Sequence, residues 1–141
     1  MTDLLAIRGR LQRASEAAAF LDTAYEAFDA MLAAIEDHQH PGSELFTQLV
    51  YAATCAADGR DAILSAPSLP LRPIHRGDTA RHIDSRGTPG DPGDLLALSK
   101  ALSRLLADAA GTMPSDGDRA ACQAASGQAA AIHRFLTRAT P

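Results

Sequence analysis

Residues 4–35 read LLAIRGRLQRASEAAAFLDTAYEAFDAMLAAI, and this stretch decides the fold. Apolar residues recur through it at steps of three and four, and they are Leu4, Ile7, Leu11, Ala14, Ala18, Leu21, Tyr25, Phe28, Leu32 and Ile35. This spacing places all of them on one face of a helix. It predicts a single helix over residues 3–37, roughly 50 Å long at about 1.5 Å per residue, as the spine of a helical bundle.

A second apolar row lies beside the first and consists of Ala17, Phe20, Ala24, Ala27, Met31 and Ala34. A helix with one partner needs only one apolar row, so two rows predict at least two neighbours. The high alanine content of the whole chain, 30 of 141 residues, also favours helix.

Three further helices are predicted from apolar periodicity and capping residues, over residues 43–66, 92–110 and 115–139. Ser115 is a suitable N-cap for the last of them, with Asp118 three residues later. The Gly59-Arg60 step is a candidate kink in the second helix. Short connections make each flanking pair antiparallel. The prediction is an all-α, single-domain antiparallel four-helix bundle over residues 1–141, made of two helical hairpins.

The last helix has a face of small side chains. Its inward row consists of Cys122, Ala125, Ala129, Ile132, Leu136 and Ala139. Because alanine leaves little side-chain volume between two helix axes, this helix is expected to approach its neighbours closely.

The two hairpins are joined by a long connection, residues 67–90, which is rich in proline, glycine and arginine and has no periodicity. Long connections in small domains are usually functional or disordered. Guanidinium groups pair with phosphate or carboxylate, so this segment is a candidate roof for an anion pocket at one end of the bundle. The candidate ligand-binding residues are Arg72, His75, Arg76, Arg81 and His82, with Tyr25 or His133 contributed by the helices. The alternative is a solvated linker.

A metal-responsive bundle is another hypothesis. Cys55 and Cys122 both fall within helical patterns, and His133 lies eleven residues after Cys122, near the same face. Thiolate and imidazole are ligands for soft metals. No Glu-x-x-His pattern of the kind used by di-iron bundles occurs, so the sequence assigns no metal ligand and no cofactor.

Charge along the first helix runs opposite to what the helix dipole favours. Arg8, Arg10 and Arg13 lie near its start, and the acidic residues of its later part are Asp22, Glu26, Asp29, Glu36 and Asp37. Such a helix complements an antiparallel copy of itself, and its surplus apolar row offers an interface, which predicts a homodimer. In the alternative, the basic connection folds over this acidic edge within one chain.

Composition narrows the function classes. The formal net charge of −4 argues against a nucleic-acid binder, and no apolar run is long enough to cross a membrane. No signal peptide is apparent, so a cytoplasmic location is expected, and the arginine-rich, lysine-poor composition suggests a bacterial source.

No catalytic motif is apparent in the sequence. The prediction is a non-enzymatic interaction or regulatory protein that associates with itself or with another protein. The alternatives are a small-anion binder or enzyme with the pocket described above, and the metal-responsive bundle.

Overall fold

The structure is a computed structural model that describes residues 4–13, 16–39, 42, 45–69 and 92–139. Within these residues it has five helices, which are α1 (Leu4–Arg13), α2 (Ala17–Asp37), α3 (Phe46–Leu64), α4 (Pro92–Thr112) and α5 (Asp116–Ala139). The all-α prediction is confirmed. None of the helices in the described ranges is both long and apolar enough to cross a membrane.

The prediction of one helix over residues 3–37 is wrong. α1 ends at Arg13, and α2 begins at Ala17 after Glu16, whose backbone is extended (φ −98°, ψ 142°). Arg10 Nη1 lies 3.0 Å from Glu26 Oε2. In a continuous helix these two residues would be roughly 24 Å apart along the axis. α1 therefore folds back against α2.

Burial of the apolar row of α1 explains this reversal. Leu4, Ile7 and Leu11 are buried, and α1 contacts both α2 and α4, which make few contacts with each other. Burying each of these side chains contributes about 1.5–3 kcal/mol. The longest of α3, α4 and α5 has 24 residues, so a straight first helix would leave its opening turns without partners. Packing across the bundle outweighs the local periodicity.

Two side-chain hydrogen bonds connect α2 and its C-terminal end to α3. Near the end of α2, Gln39 Nε2 donates to Leu49 O at 3.4 Å, close to the start of α3. Midway along α2, Asp29 Oδ1 accepts from Arg60 Nη1 at 2.8 Å, near the end of α3. Residues further along α2 thus meet residues earlier in α3.

Side-chain contacts also connect α4 to α5. The hydroxyl groups of Ser103 and Ser126 donate to each other's backbone carbonyl oxygens, at 3.3 and 2.9 Å. Earlier in α4, Leu96 O lies 3.3 Å from Nδ1 of His133, which is later in α5. Because these side chains reach the backbone of the facing helix, the predicted close approach of α5 is confirmed.

α3 packs against α5 as well. Tyr51, near the start of α3, has its ring centroid 5.4 Å from that of Phe135, near the end of α5. Past the end of α3, the backbone N and Oγ of Ser68 donate to the Asp118 carboxylate at 3.1 and 2.6 Å. α5 is therefore the central helix, with α3 on one side and α4 on the other.

The two described ends of the long connection lie far apart. Leu69 follows Ser68 beside the start of α5 and is partly buried against the core. Pro92 lies one turn before Leu96, which contacts the end of α5. These ends are separated by roughly 30 Å, the length of about twenty helical residues. The remainder of the segment predicted as irregular lies outside the described residues.

The predicted cap of the last helix is confirmed, since the backbone N of Asp118 donates to Ser115 Oγ at 3.3 Å. The Gly59-Arg60 step, the candidate kink, lies within α3, which does not end there but continues to Leu64. Gly59 is buried where the Phe28 ring of α2 crosses α3, so the glycine permits a close approach.

Gly59→Ala is expected to destabilise the protein by about 1–2 kcal/mol, because the new methyl group would overpack the core. A Cβ at Gly59 would lie 2.6 Å from Cδ1 and Cζ of the buried Phe28 ring. The matched control is Gly127→Ala in α5, where a Cβ meets nothing within 4 Å. It should gain about 0.5–1 kcal/mol from helix propensity. Urea unfolding measures both changes, and equal effects would contradict the close contact.

The two ion pairs of α2 differ in burial, so removing them should lower the free energy of unfolding by different amounts. Asp29 and Arg60 are 11% and 24% exposed, whereas Arg10 in the pair with Glu26 is 48% exposed. Arg60→Ala leaves a buried carboxylate without its partner and should cost about 2–3 kcal/mol. Arg10→Ala should cost less than about 1 kcal/mol. Chemical unfolding at neutral pH compares them, and a larger loss for Arg10→Ala would contradict this assignment.

Candidate functional site

A groove of about 380 Å³ runs between α4 and α5 on the outer side of their interface. It is lined by Lys100, Ser103, Arg104, Ala107, Ala130, His133 and Arg134. Three of these side chains are cationic, and the lining contains no carboxylate. The groove is therefore a local positive region on a chain whose formal net charge is −4.

Rigid helices hold the three cations. Lys100 and Arg104 are four residues apart on α4, so their side chains project from adjacent turns of one face. Arg134 comes from α5, on the opposite wall. All three are exposed, and Ala107 and Ala130 contribute only methyl groups to the lining. An anion can therefore reach charges from both helices.

Within the described residues, the cations of the groove form no ion pair with a carboxylate. Within the described residues, the arginines that form ion pairs are Arg10, Arg60 and Arg119. None of them lines the groove. The charges of the groove lining are thus available to a ligand.

His133 lies in the groove wall with one ring nitrogen already engaged. Its Nδ1 is 3.3 Å from Leu96 O and 3.4 Å from Ser99 Oγ. Ser99 is fully buried, and its hydroxyl donates to Leu96 O at 3.0 Å. The ring is thereby anchored to α4, although the residue belongs to α5.

The five predicted ligand-binding residues, Arg72, His75, Arg76, Arg81 and His82, lie outside the described residues. Of the two helical residues expected to assist them, Tyr25 is buried in the core at 3% exposure and does not line the groove. His133 does line it, together with cations that the sequence analysis did not select.

Sequence reasoning missed Lys100, Ser103, Arg104 and Arg134. A signal was present, because Lys100 is the only lysine and Arg104 follows it at helical spacing. Their relation to Arg134 depends on the register between α4 and α5, which no local pattern contains.

The structure does not bring the two cysteines and His133 together. Cys122 lies beside Met113, with Sγ and Sδ 3.6 Å apart, and eleven residues of α5 separate it from His133. That separation is roughly 16 Å along the helix axis. Across the described parts of the chain, no three His, Cys, Asp or Glu side chains cluster in a way that could hold a metal ion.

Burial makes both thiols weak acids. It is the main cause that raises the pKa of Cys122 to about 11, and the nearby Asp118 charge raises it further. Burial also raises the pKa of Cys55, with Asp58 adding to the shift and Arg134 opposing it. Thiolates are the reactive form of cysteine, so both residues are poor nucleophiles at neutral pH.

Cys122 should resist thiol reagents until the protein unfolds. With a pKa of about 11, only about one thiol in a thousand is ionised at pH 8, and the side chain is fully buried. Cys55 is partly exposed and should be labelled first. Ellman's reagent added with and without urea tests this order. Cys55→Ser should leave the native protein almost unlabelled, and rapid native labelling of that variant would contradict the burial of Cys122.

Comparison with known proteins finds no matching family, no similar curated protein and no similar solved structure.

Proposed function

We propose that this chain is a non-enzymatic interaction or regulatory protein that binds an anionic group in the groove between α4 and α5. The observation that carries this function is the set of three cations on two facing helices, Lys100, Arg104 and Arg134. They line one groove and have no carboxylate partner within the described residues.

The chemistry of the groove favours phosphate, sulfate or carboxylate. The guanidinium groups of Arg104 and Arg134 have the planar fork that pairs with two oxygen atoms of such groups. Lys100 adds a compact charge, and the alanine positions leave room for an oxyanion to lie between the helices. Because the site is exposed, binding should be weak and sensitive to ionic strength.

Charge outside the groove favours a compact anion. The chain as a whole is acidic, with a formal net charge of −4, although the groove lining carries three positive charges. An extended polyanion would meet repulsion beyond the groove, whereas a single phosphate or carboxylate group would not. The ligand class is therefore a small anion, or a molecule that presents one such group.

The bundle that carries the groove is proposed to be the antiparallel four-helix arrangement predicted from the sequence, formed here by α2, α3, α5 and α4. The cross-helix contacts of Arg60, Ser126 and Phe135 support this order. α1 is an additional helix between α2 and α4. A bacterial source and a cytoplasmic location are kept as proposals based on composition.

Self-association through the first helix stays a prediction, but the features that suggested it have partners within the chain. Phe20, Ala24 and Met31 of the second apolar row are buried. Glu26 of the acidic part pairs with Arg10 of the basic part of the same chain. Homodimer formation is therefore not included in the proposed function.

Sulfate binding tests the anion site. Addition of sulfate to the ¹⁵N-labelled protein should shift the amide resonances of α4 and α5 around Lys100, Arg104 and Arg134. Replacing these three residues by alanine should weaken binding about tenfold, since three exposed charges at about 0.5 kcal/mol each sum to about 1.5 kcal/mol.

The control is Arg8→Ala, which removes a cation from α1, outside the groove lining. It should change the sulfate affinity less than about twofold. Equal losses in Arg8→Ala and in Arg104→Ala would show a nonspecific charge effect and contradict the site.

A further inference from the structure

The hydrogen bonds around His133 determine which ring nitrogen carries a hydrogen. Ser99 Oγ uses its single hydrogen to donate to Leu96 O at 3.0 Å. It therefore faces His133 Nδ1, 3.4 Å away, as an acceptor. Leu96 O, 3.3 Å from the same nitrogen, is a carbonyl and can only accept. Both neighbours of Nδ1 are acceptors, so Nδ1 is the nitrogen that is protonated.

This tautomer determines how the His133 side chain interacts with an anion in the groove. A neutral imidazole has one N–H, and with the hydrogen on Nδ1 the other nitrogen, Nε2, has only a lone pair. A lone pair repels the oxygen atoms of an anion. A second proton on Nε2 turns it into a charged donor, and Nδ1 keeps its contacts with α4. His133 can thus change from repelling to attracting an anion without moving.

We propose that His133 makes the groove between α4 and α5 a proton-coupled anion site, in which one proton is taken up at Nε2 when an oxyanion binds. This inference rests on the anion-binding function proposed above. It adds a pH dependence, because the uptake of one proton on binding makes the affinity rise as the pH falls.

The other charged groups around the groove do not account for such a dependence. Lys100, Arg104 and Arg134 are residue types that stay protonated at and below neutral pH. On α3, Cys55 interacts electrostatically with Arg134 and also with Asp58. Burial raises the pKa of the Cys55 thiol, which keeps it neutral, and carboxyl groups ordinarily titrate well below pH 6.

Charged residues on α1 and the second described histidine do not explain the pH dependence either. α1 packs against α4, but its described charged side chains, Arg8 and Arg10, do not line the groove. The other histidine among the described residues, His38, ends α2 and does not line the groove either. His38 therefore supplies a matched control for any titration of the protein.

The experiment measures sulfate affinity at pH 5.5 and pH 7.5 at constant ionic strength. Sulfate stays a dianion over this range, whereas phosphate changes its own charge. Affinity should be roughly fivefold higher at pH 5.5, as expected for one added charge at an exposed site. Calorimetry in buffers of different ionisation enthalpy should show proton uptake on binding.

Two variants test whether His133 is the residue that takes up the proton. His133→Asn keeps an amide donor close to the position of Nδ1 but cannot be protonated, so the affinity ratio between the two pH values should fall to about one. His38→Asn should keep the fivefold ratio. His133→Gln serves as a second variant, and the ¹⁵N spectrum confirms that each variant is folded.

Each outcome supports or overturns a separate claim. Absence of localised sulfate binding at both pH values overturns the anion site itself. Sulfate binding with equal affinity at both pH values overturns the proton coupling and leaves the anion site intact. A pH dependence that persists in His133→Asn, or an Nε2–H tautomer in the ¹⁵N spectrum of the imidazole at pH 7.5, also overturns the coupling.

Discussion

The close approach of α5 to α3 and α4 is the constraint on which the rest of the structure depends. Ala125 and Ala129 are buried in α5, and their small side chains allow the helix axes to come close. Ser126 and His133 can therefore reach carbonyl oxygens of the facing helix, at 2.9 and 3.3 Å. Those contacts position the groove wall, so the candidate site is the outer edge of a tightly packed core.

The reversal between α1 and α2 has consequences for charge as well as for packing. Folding back brings Arg10 to Glu26, so the basic start and the acidic later part of the first helical segment meet within one chain. Asp29 is paired with Arg60 of α3. Among the described residues, the cations of the groove have no carboxylate partner and lie on α4 and α5, so the function is proposed there.

Sequence reasoning was most accurate where one residue's neighbours along the chain decide its conformation. The last two helices were predicted over 92–110 and 115–139, and the structure has them at Pro92–Thr112 and Asp116–Ala139. The groove could not be predicted from the sequence, because Arg104 of α4 and Arg134 of α5 are thirty residues apart in the chain. Only the register between two helices places them in one lining.

The sequence by itself determined the all-α class, the alanine-rich face of α5 and the cap at Ser115, because these follow from contacts within about one turn of helix. The tertiary structure decided the break before Ala17, the ion-pair partner of Asp29 and the contact of His133 Nδ1 with Leu96 O. The physical reason is burial. The free energy of placing Leu4, Ile7 and Leu11 between two helices exceeds what an unbroken helix provides, and periodicity along one segment contains no information on which helices will surround it.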